Sequence, residues 1–263
     1  MRGSARLVLA SKSPARLTTL RNAGLNPLVM VSSVDEGAVA AALPTSASPA
    51  QLVSALAEAK AVSVARDLAE TLNSAGAGAV GLGEWAATGI TAKDVPSAQN
   101  DSDGPNPGKY LILGCDSMLE IGGKMVGKPH TAEVARQRIR EMRGTDATLL
   151  TGHSLVAVYD VGHLTALGDL TGAGHWKVAK PVTQAASTIV HFGDISDEEI
   201  EAYVDTGEPL KVAGSFTIDG LGGPFVRGVT GDPHSVVGVS LPLLRDLVKD
   251  AGVFWPDLWE VRG

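Results

Sequence analysis

One cysteine, Cys115, is all the thiol chemistry that 263 residues hold. A lone cysteine cannot close an internal disulfide, which fits a reducing compartment and predicts a cytoplasmic protein. Positive charge is also short: 22 Lys and Arg stand against 29 Asp and Glu, a net charge of −7. That balance argues against nucleic acid or an anionic membrane as a general partner. It leaves room for a local basic site that takes a phosphorylated small molecule. No apolar run is long enough to span a bilayer. The apolar stretch near the N-terminus breaks at once into Ser-Lys-Ser-Pro, unlike a signal peptide. The histidines lack paired ligand spacing, so zinc is not expected. There is no G-x-S-x-G and no Ser-His-Asp order to suggest acyl transfer. What is present is a 44% apolar chain of mean hydropathy +0.12, long enough for a sizeable core.

The stretch at about 73–108 is the least core-like. It opens Asn-Ser-Ala-Gly-Ala-Gly-Ala and closes Asp-Gly-Pro-Asn-Pro-Gly. It reads as a flexible surface insertion within a single domain spanning 1–263, with Trp85 as its one large apolar residue. Ala50 to Leu72 has helical character, with Leu52, Leu56, Ala59 and Val62 on one stripe. Tyr110 to Leu113 reads as a buried strand that ends at Gly114-Cys115-Asp116-Ser117. Gly122-Gly123 marks a hairpin between Met118–Ile121 and Lys124–Val126. Thr131 to Arg143 is an amphipathic helix stopped by Gly144. Leu149 to Tyr159 and Ser187 to Phe192 read as strands, and Gly168 to Gly174 as a hairpin turn. Ser196-Asp197-Glu198-Glu199 is a capping box that opens a helix ending near Gly207. Ser235 to Leu241 reads as a strand and Pro242 to Asp250 as a closing helix. Strands, helices and hairpins intermix, so the expected class is α/β with a mixed central sheet flanked by helices.

The most informative segment is Leu7 to Arg16. An apolar strand ends in Ser11-Lys12-Ser13-Pro14, and Leu17, Leu20 and Ala23 follow at helical spacing up to Gly24. Ser13 suits the N-cap and Pro14 the first helical position. A helix start carrying Ser11, Ser13, Lys12 and Arg16 suits a phosphate, although a merely well-capped helix would read the same way. Asp116, beyond an apolar strand, could bind a cation or deprotonate water; position alone favours a turn carboxylate. Asp35-Glu36 offers hard oxygen ligands for Mg²⁺, against the commoner reading of two solvated acids. Lys60, amid alanines, either snorkels to solvent or aims its charge at phosphates, and the bland view is favoured. Gly122 to Pro129 nearly matches a Walker A loop, but Pro129 stands where Ser or Thr must meet Mg²⁺. Lys128 remains a candidate phosphate contact. Gly220-Leu221-Gly222-Gly223 reads as a tight turn or close backbone approach.

In order along the chain, these blocks resemble the Maf family of nucleoside triphosphate pyrophosphatases. The matching residues are Leu9 to Arg16, Val34-Asp35-Glu36, Glu58-Ala59-Lys60-Ala61, Gly114 to Ser117, Gly127-Lys128-Pro129 and Thr151-Gly152-His153. Glu199 to Val204, Gly207-Glu208-Pro209, Ala213 to Phe216 and Val237-Gly238 follow. The resemblance implies a mixed α/β architecture of two lobes with a cleft between them, often dimeric. It also implies hydrolysis between the α and β phosphates, giving a monophosphate and pyrophosphate, with Mg²⁺ or Mn²⁺. Carried over residue by residue, Asp116, Lys60 and Lys128 are the catalytic candidates. Ser11, Ser13, Arg16, Ser117 and Asp219 are the substrate-binding candidates, and Glu36 with Asp116 the metal ligands. The implied partners are the nucleotide and a second copy of the chain.

Three positions depart from pyrimidine-selective members. Ala15 replaces the first arginine of Pro-Arg-Arg, Ser117 the Thr of Asp-Thr, and Asp219 the Gln of Ile-Gln-Gly. Base choice is therefore open, modified nucleotides included. Two alternatives stand beside hydrolysis: a nucleotide-binding regulator of septum formation with little catalysis, and an inosine-triphosphate-type pyrophosphatase.

Overall fold

Leu7, Leu9, Leu111, Leu113 and Cys115 enter one core, and Val8 and Ile112 enter another on the opposite face of the same two strands. That division is the two-residue period of a strand. The strands are β1 (Ala5–Leu9) and β3 (Lys109–Ile121), paired in parallel. β2 (Leu28–Val29) lies parallel outside β1. β5 (Asp146–Asp160), β7 (Val182–Phe192) and β8 (Val226–Thr230) continue the sheet antiparallel, in the order β2-β1-β3-β5-β7-β8. β4 (Lys124–Val126) folds back on β3, and β6 (Trp176–Val178) pairs with β5. The computed structural model describes residues 5–74, 108–161 and 175–260. The expected turn at Gly168 to Gly174, Trp85 and all of 75–107 lie outside them.

Helices cover both faces of the mixed sheet, as expected. α1 (Pro14–Asn22) begins at the Ser13 cap, whose Oγ accepts the Arg16 N–H at 3.4 Å. With α7 (Leu241–Asp250), it packs on the Leu7, Leu9, Leu113 and Cys115 face. α3 (Pro49–Ser74) covers the Val8 and Ile112 face. α4 (Ala132–Met142) and α5 (Asp197–Asp205) pack with Leu119, Leu149 and Phe192 in a third core further along the long strands. Among the described residues there are also two short α-helices, α2 (Glu36–Ala41) and α6 (Pro233–Val237).

α3 lies hard against the sheet. A Cβ at Gly114 would come within 2.2 Å of the Ala57 carbonyl oxygen, and one at Gly152 within 2.1 Å of the Val53 carbonyl oxygen. Only glycine lets the helix backbone approach so closely.

Several sequence expectations change. β3 does not end at Asp116 but runs on to Ile121, because Gly114 and Cys115 are extended rather than turning. What ends there is the parallel partner: β1 pairs no further than Leu113. The buried stripe of α3 is Val53, Leu56, Ala57, Ala61, Val64, Ala65 and Leu68, so Leu52, Ala59 and Val62 flank it instead. Asn73 and Ser74 belong to that helix, and Asn73 holds Trp176 by two hydrogen bonds. Ser235 to Leu241 is not a strand. Asp232-Pro233 caps and starts α6 instead, and Gly238 (φ +121°) turns the chain into α7. β8 was not anticipated.

Candidate active site

Lys60 sits on the sheet-facing side of α3, with only 12% of its side chain exposed. Its Nζ lies 2.6 Å from Asp116 Oδ1 and 2.8 Å from Glu36 Oε1. The snorkelling reading of Lys60 is therefore wrong: its ammonium bridges two carboxylates. Asp116 is equally sheltered at 13%, whereas Glu36 is 59% exposed and opens the group to solvent. Asp35 and Glu36 are not a loop pair. Asp35 caps α2, accepting the Ala38 N–H at 3.0 Å, and Glu36 is the first helical residue. That cap frees Glu36 to face Lys60.

Two carboxylates held on one ammonium form a hard-oxygen set. Mg²⁺ commonly takes one or two carboxylates and completes its shell with substrate phosphate and water. Among the described residues no cluster of three or more His, Cys, Asp or Glu forms a self-sufficient cation cage. The donor chemistry at Glu36 and Asp116 fits a divalent ion whose shell the substrate completes.

The neighbouring residue in β3 faces the other way. Ser117 Oγ accepts from Arg16 Nη2 at 3.0 Å, and Arg16 also donates from Nη1 to Ser11 Oγ at 3.2 Å and from Nε to the Gly238 carbonyl at 2.8 Å. β3, the β1–α1 loop and the α6–α7 turn therefore fix one guanidinium. Thr151, opposite Ser117 in β5, lies 3.0 Å from it and donates to the Ser235 carbonyl at 2.9 Å. Behind Thr151, His153 is buried. Its Nε2 accepts the Ser240 N–H at 2.7 Å, so the proton is on Nδ1 and goes to the Thr151 carbonyl at 3.0 Å. Burial, then the nearby Arg16 charge, lowers its pKa to about 4, so it is neutral at pH 7.

Asp116 thus addresses α3 and Ser117 addresses α1, on opposite faces of one strand. Among the described residues, β3 from 114 to 118 pairs only with β5, because pairing with β1 ends at Leu113 and pairing with β4 begins at Leu119.

Of the residues singled out in the sequence, Lys60, Glu36 and Asp116 come together, as do Arg16, Ser11 and Ser117, with Ser13 as the cap between. Lys128 is exposed in the loop after β4, and among the described residues no hydrogen bond or ion pair joins it to either group. Its neighbour Gly127 is anchored, its carbonyl accepting Arg138 Nη1 at 2.6 Å and the Gly214 N–H at 3.2 Å. Asp219 is exposed on the turn 217–222. Glu208 organises that turn, accepting from Tyr203 Oη at 3.1 Å and from the Leu221 and Gly222 N–H groups at 3.2 Å each. Burial raises the Glu208 pKa, but these bonds and one from Thr217 outweigh it, so the net shift is downward. Gly220 and Gly222 are close approaches, as expected: a Cβ would meet Glu208 Oε2 at 2.7 Å and Tyr203 Oη at 2.5 Å. The sequence assigned no role to Thr151, His153, Arg138 or Glu208. The available signals are the family blocks Thr151-Gly152-His153 and Gly207-Glu208-Pro209 and the alternation of Thr151 and His153 on one strand; the partners of those two come from distant segments.

A family model described as "Maf-like protein" matches residues 6–251. A nucleoside triphosphate pyrophosphatase of Nocardia farcinica is 44% identical over 253 residues, 96% of each chain. One of Streptomyces coelicolor is 44% identical over 254 residues, 97% of this chain and 94% of the relative. One of Rhodococcus erythropolis is 41% identical over 256 residues, 97% of each.

Proposed function

This chain belongs to the Maf family, and from that premise we propose that it is a nucleoside triphosphate pyrophosphatase. It is a hydrolase that cuts between the α and β phosphates and releases a monophosphate and pyrophosphate. The observation that carries this reading is the Lys60 ammonium held between Asp116 and Glu36, one residue along β3 from the Ser117 that anchors Arg16.

Attack at the α phosphorus needs an oriented water, a base and cations on the phosphate oxygens. Asp116 takes the water's proton. Lys60 fixes the carboxylate's orientation and turns its remaining N–H toward the phosphates. Arg16 offers an N–H on each terminal nitrogen, and Ser11 and Ser13 bind oxygens at the start of α1. Lys128 neutralises the departing pyrophosphate from the β4–α4 loop. Glu36 and Asp116 would hold Mg²⁺ or Mn²⁺, which supplies charge neutralisation on the phosphate oxygens. Asp219 sits on the base side, where an acidic acceptor favours bases presenting N–H groups. The working form is a homodimer acting on free nucleotides in the cytoplasm.

The test is product analysis with a panel of ordinary and modified triphosphates, with Mg²⁺ and with Mn²⁺, alongside Asp116→Asn. Monophosphate plus pyrophosphate, lost in the variant, is the expected result. Diphosphate plus orthophosphate would mean a different scissile bond. Tight nucleotide binding with no turnover would favour the binding-regulator reading, which the loss of an arginine at Ala15 motivates.

A further inference from the structure

Hydroxyl protons can be placed around Arg16 by elimination. A guanidinium only donates, a carbonyl only accepts, and a hydroxyl carries one proton. Thr151 Oγ1 is 2.9 Å from the Ser235 carbonyl and 3.0 Å from Ser117 Oγ. Its one proton goes to the carbonyl, so between the two hydroxyls Ser117 is the donor. Ser117 therefore points its proton inward at Thr151 and presents lone pairs to Arg16 Nη2, 3.0 Å away. It has no proton left for a ligand. Ser11 is the reverse case. Its Oγ accepts the Ser13 N–H and Arg16 Nη1, both at 3.2 Å, so its own proton is uncommitted.

We infer that Ser117 and Thr151 are positioning residues of Arg16, a proton-ordered pair that sets the guanidinium plane, whereas Ser11 is the hydroxyl that donates to the phosphate. Thr151 and Ser235 are both fully buried, so Thr151 reaches the substrate only through Ser117 and Arg16. With Nε on Gly238 and the two terminal nitrogens on Ser11 and Ser117, the remaining N–H groups number one per terminal nitrogen. Those two N–H groups are what Arg16 has left to offer to phosphate oxygens. The inference rests on the pyrophosphatase reading, in which Arg16 meets phosphate oxygens. It reassigns Ser117, whose role as a direct nucleotide contact the sequence suggested.

A double-mutant cycle tests it, with kcat, KM and thermal unfolding measured on the full chain. The variants are Thr151→Val, Thr151→Ser, Ser117→Ala, Ser11→Ala and Arg16→Ala, and each of the first four in the Arg16→Ala background. Thr151→Val should raise KM and lower kcat/KM by roughly tenfold, the scale of one hydrogen bond to a charged group. Thr151→Ser should restore it. In the Arg16→Ala background Thr151→Val and Ser117→Ala should add less than about twofold, while Ser11→Ala should still cost activity. Equal losses for Ser117→Ala with and without Arg16 would overturn the assignment, since Ser117 would then touch the nucleotide itself. Should Thr151→Val unfold at the assay temperature, the Ser117→Ala cycle decides alone. If the wild-type chain cleaves no triphosphate, the pyrophosphatase reading falls. The cycle is then read as the Kd for inorganic tripolyphosphate by calorimetry, where the same dependence on Arg16 supports the positioning role. Additive effects there, or no binding at all, overturn it.

Discussion

Lys60 reaches Asp116, at 2.6 Å, across an interface from which side chains have been removed. Gly114 stands two residues before Asp116 in β3, and Gly152 is paired opposite Asp116 in β5. Both lie directly under the α3 backbone, and their missing Cβ atoms set the height of the helix over the sheet. The ion pair at the site is thus a consequence of main-chain packing.

Gly114→Ala and Gly152→Ala are expected to lift α3 and part Lys60 from Asp116. Each methyl would have to displace main chain, not a flexible side-chain tip, which puts the cost at about 3 kcal/mol. Urea denaturation should show the lost stability, and product assays should show a loss of turnover larger than that of an exposed-loop substitution. Unchanged kinetics in a folded Gly114→Ala variant would uncouple the glycines from the site.

Asp116→Asn keeps the shape but removes the base. Turnover should fall by roughly a hundredfold or more, the usual scale for a general base. Melting temperature should change little, since Glu36 still pairs with Lys60 at 2.8 Å. A variant that retains half the wild-type kcat would move the base elsewhere.

His153 makes the fold acid-sensitive in a defined window. Its folded pKa, about 4, lies below the ordinary 6.5, so the unfolded chain binds the proton more readily. Stability from this group is complete above pH 6.5 and is lost as pH falls toward 4. The total is about 3 kcal/mol, from the linkage between pKa shift and folding. Protonation would also strip the Ser240 N–H of its acceptor. Thermal unfolding from pH 4 to 7 should show a steeper acid slope in the wild type than in His153→Gln. Parallel slopes would assign the acid loss to other groups.

Arg138→Leu probes the loop that carries Lys128. Arg138 Nη1 joins the Gly127 carbonyl at 2.6 Å to Ser215 Oγ at 3.1 Å, and Ser215 is held at a φ of +63°. Losing both bonds should cost about 2 kcal/mol and raise KM several-fold with a smaller change in kcat. An unchanged KM would detach Lys128 from substrate binding.

Local signals in the sequence are legible where they concern a few consecutive residues. Ser13-Pro14 starts α1, Gly122-Gly123 closes the β3–β4 hairpin with positive φ at both residues, and Ser196 with Glu199 forms a capping box. The snorkelling reading of Lys60 fails because a lysine among alanines looks the same whether the carboxylate it meets is 56 residues away or absent. The α6 error has a local cause: Ser-Val-Val-Gly-Val-Ser has strand propensity, yet the Asp232-Pro233 cap and the long-range bonds of Ser235 and Ser240 override it. Thr151, His153 and Glu208 were not readable as functional, since each acts through backbone groups of distant segments. The near-Walker loop marks Lys128 as a candidate phosphate contact, whereas Asp219 comes from the family resemblance alone. For Lys60, Glu36 and Asp116, the fold brings together what the residues alone left apart.

The stretch 114–118 of β3 also bears on how the protein survives at high concentration. A bare strand edge is a template on which another chain can add. Here, among the described residues, the gap in pairing is bounded at both ends by β1 and β4 and flanked by Asp116, Lys60 and Arg16. Five residues between two stops leave little length for a foreign strand, and buried charge beside them discourages an apolar one. The same interruption is therefore short and charged enough to resist edge-to-edge aggregation.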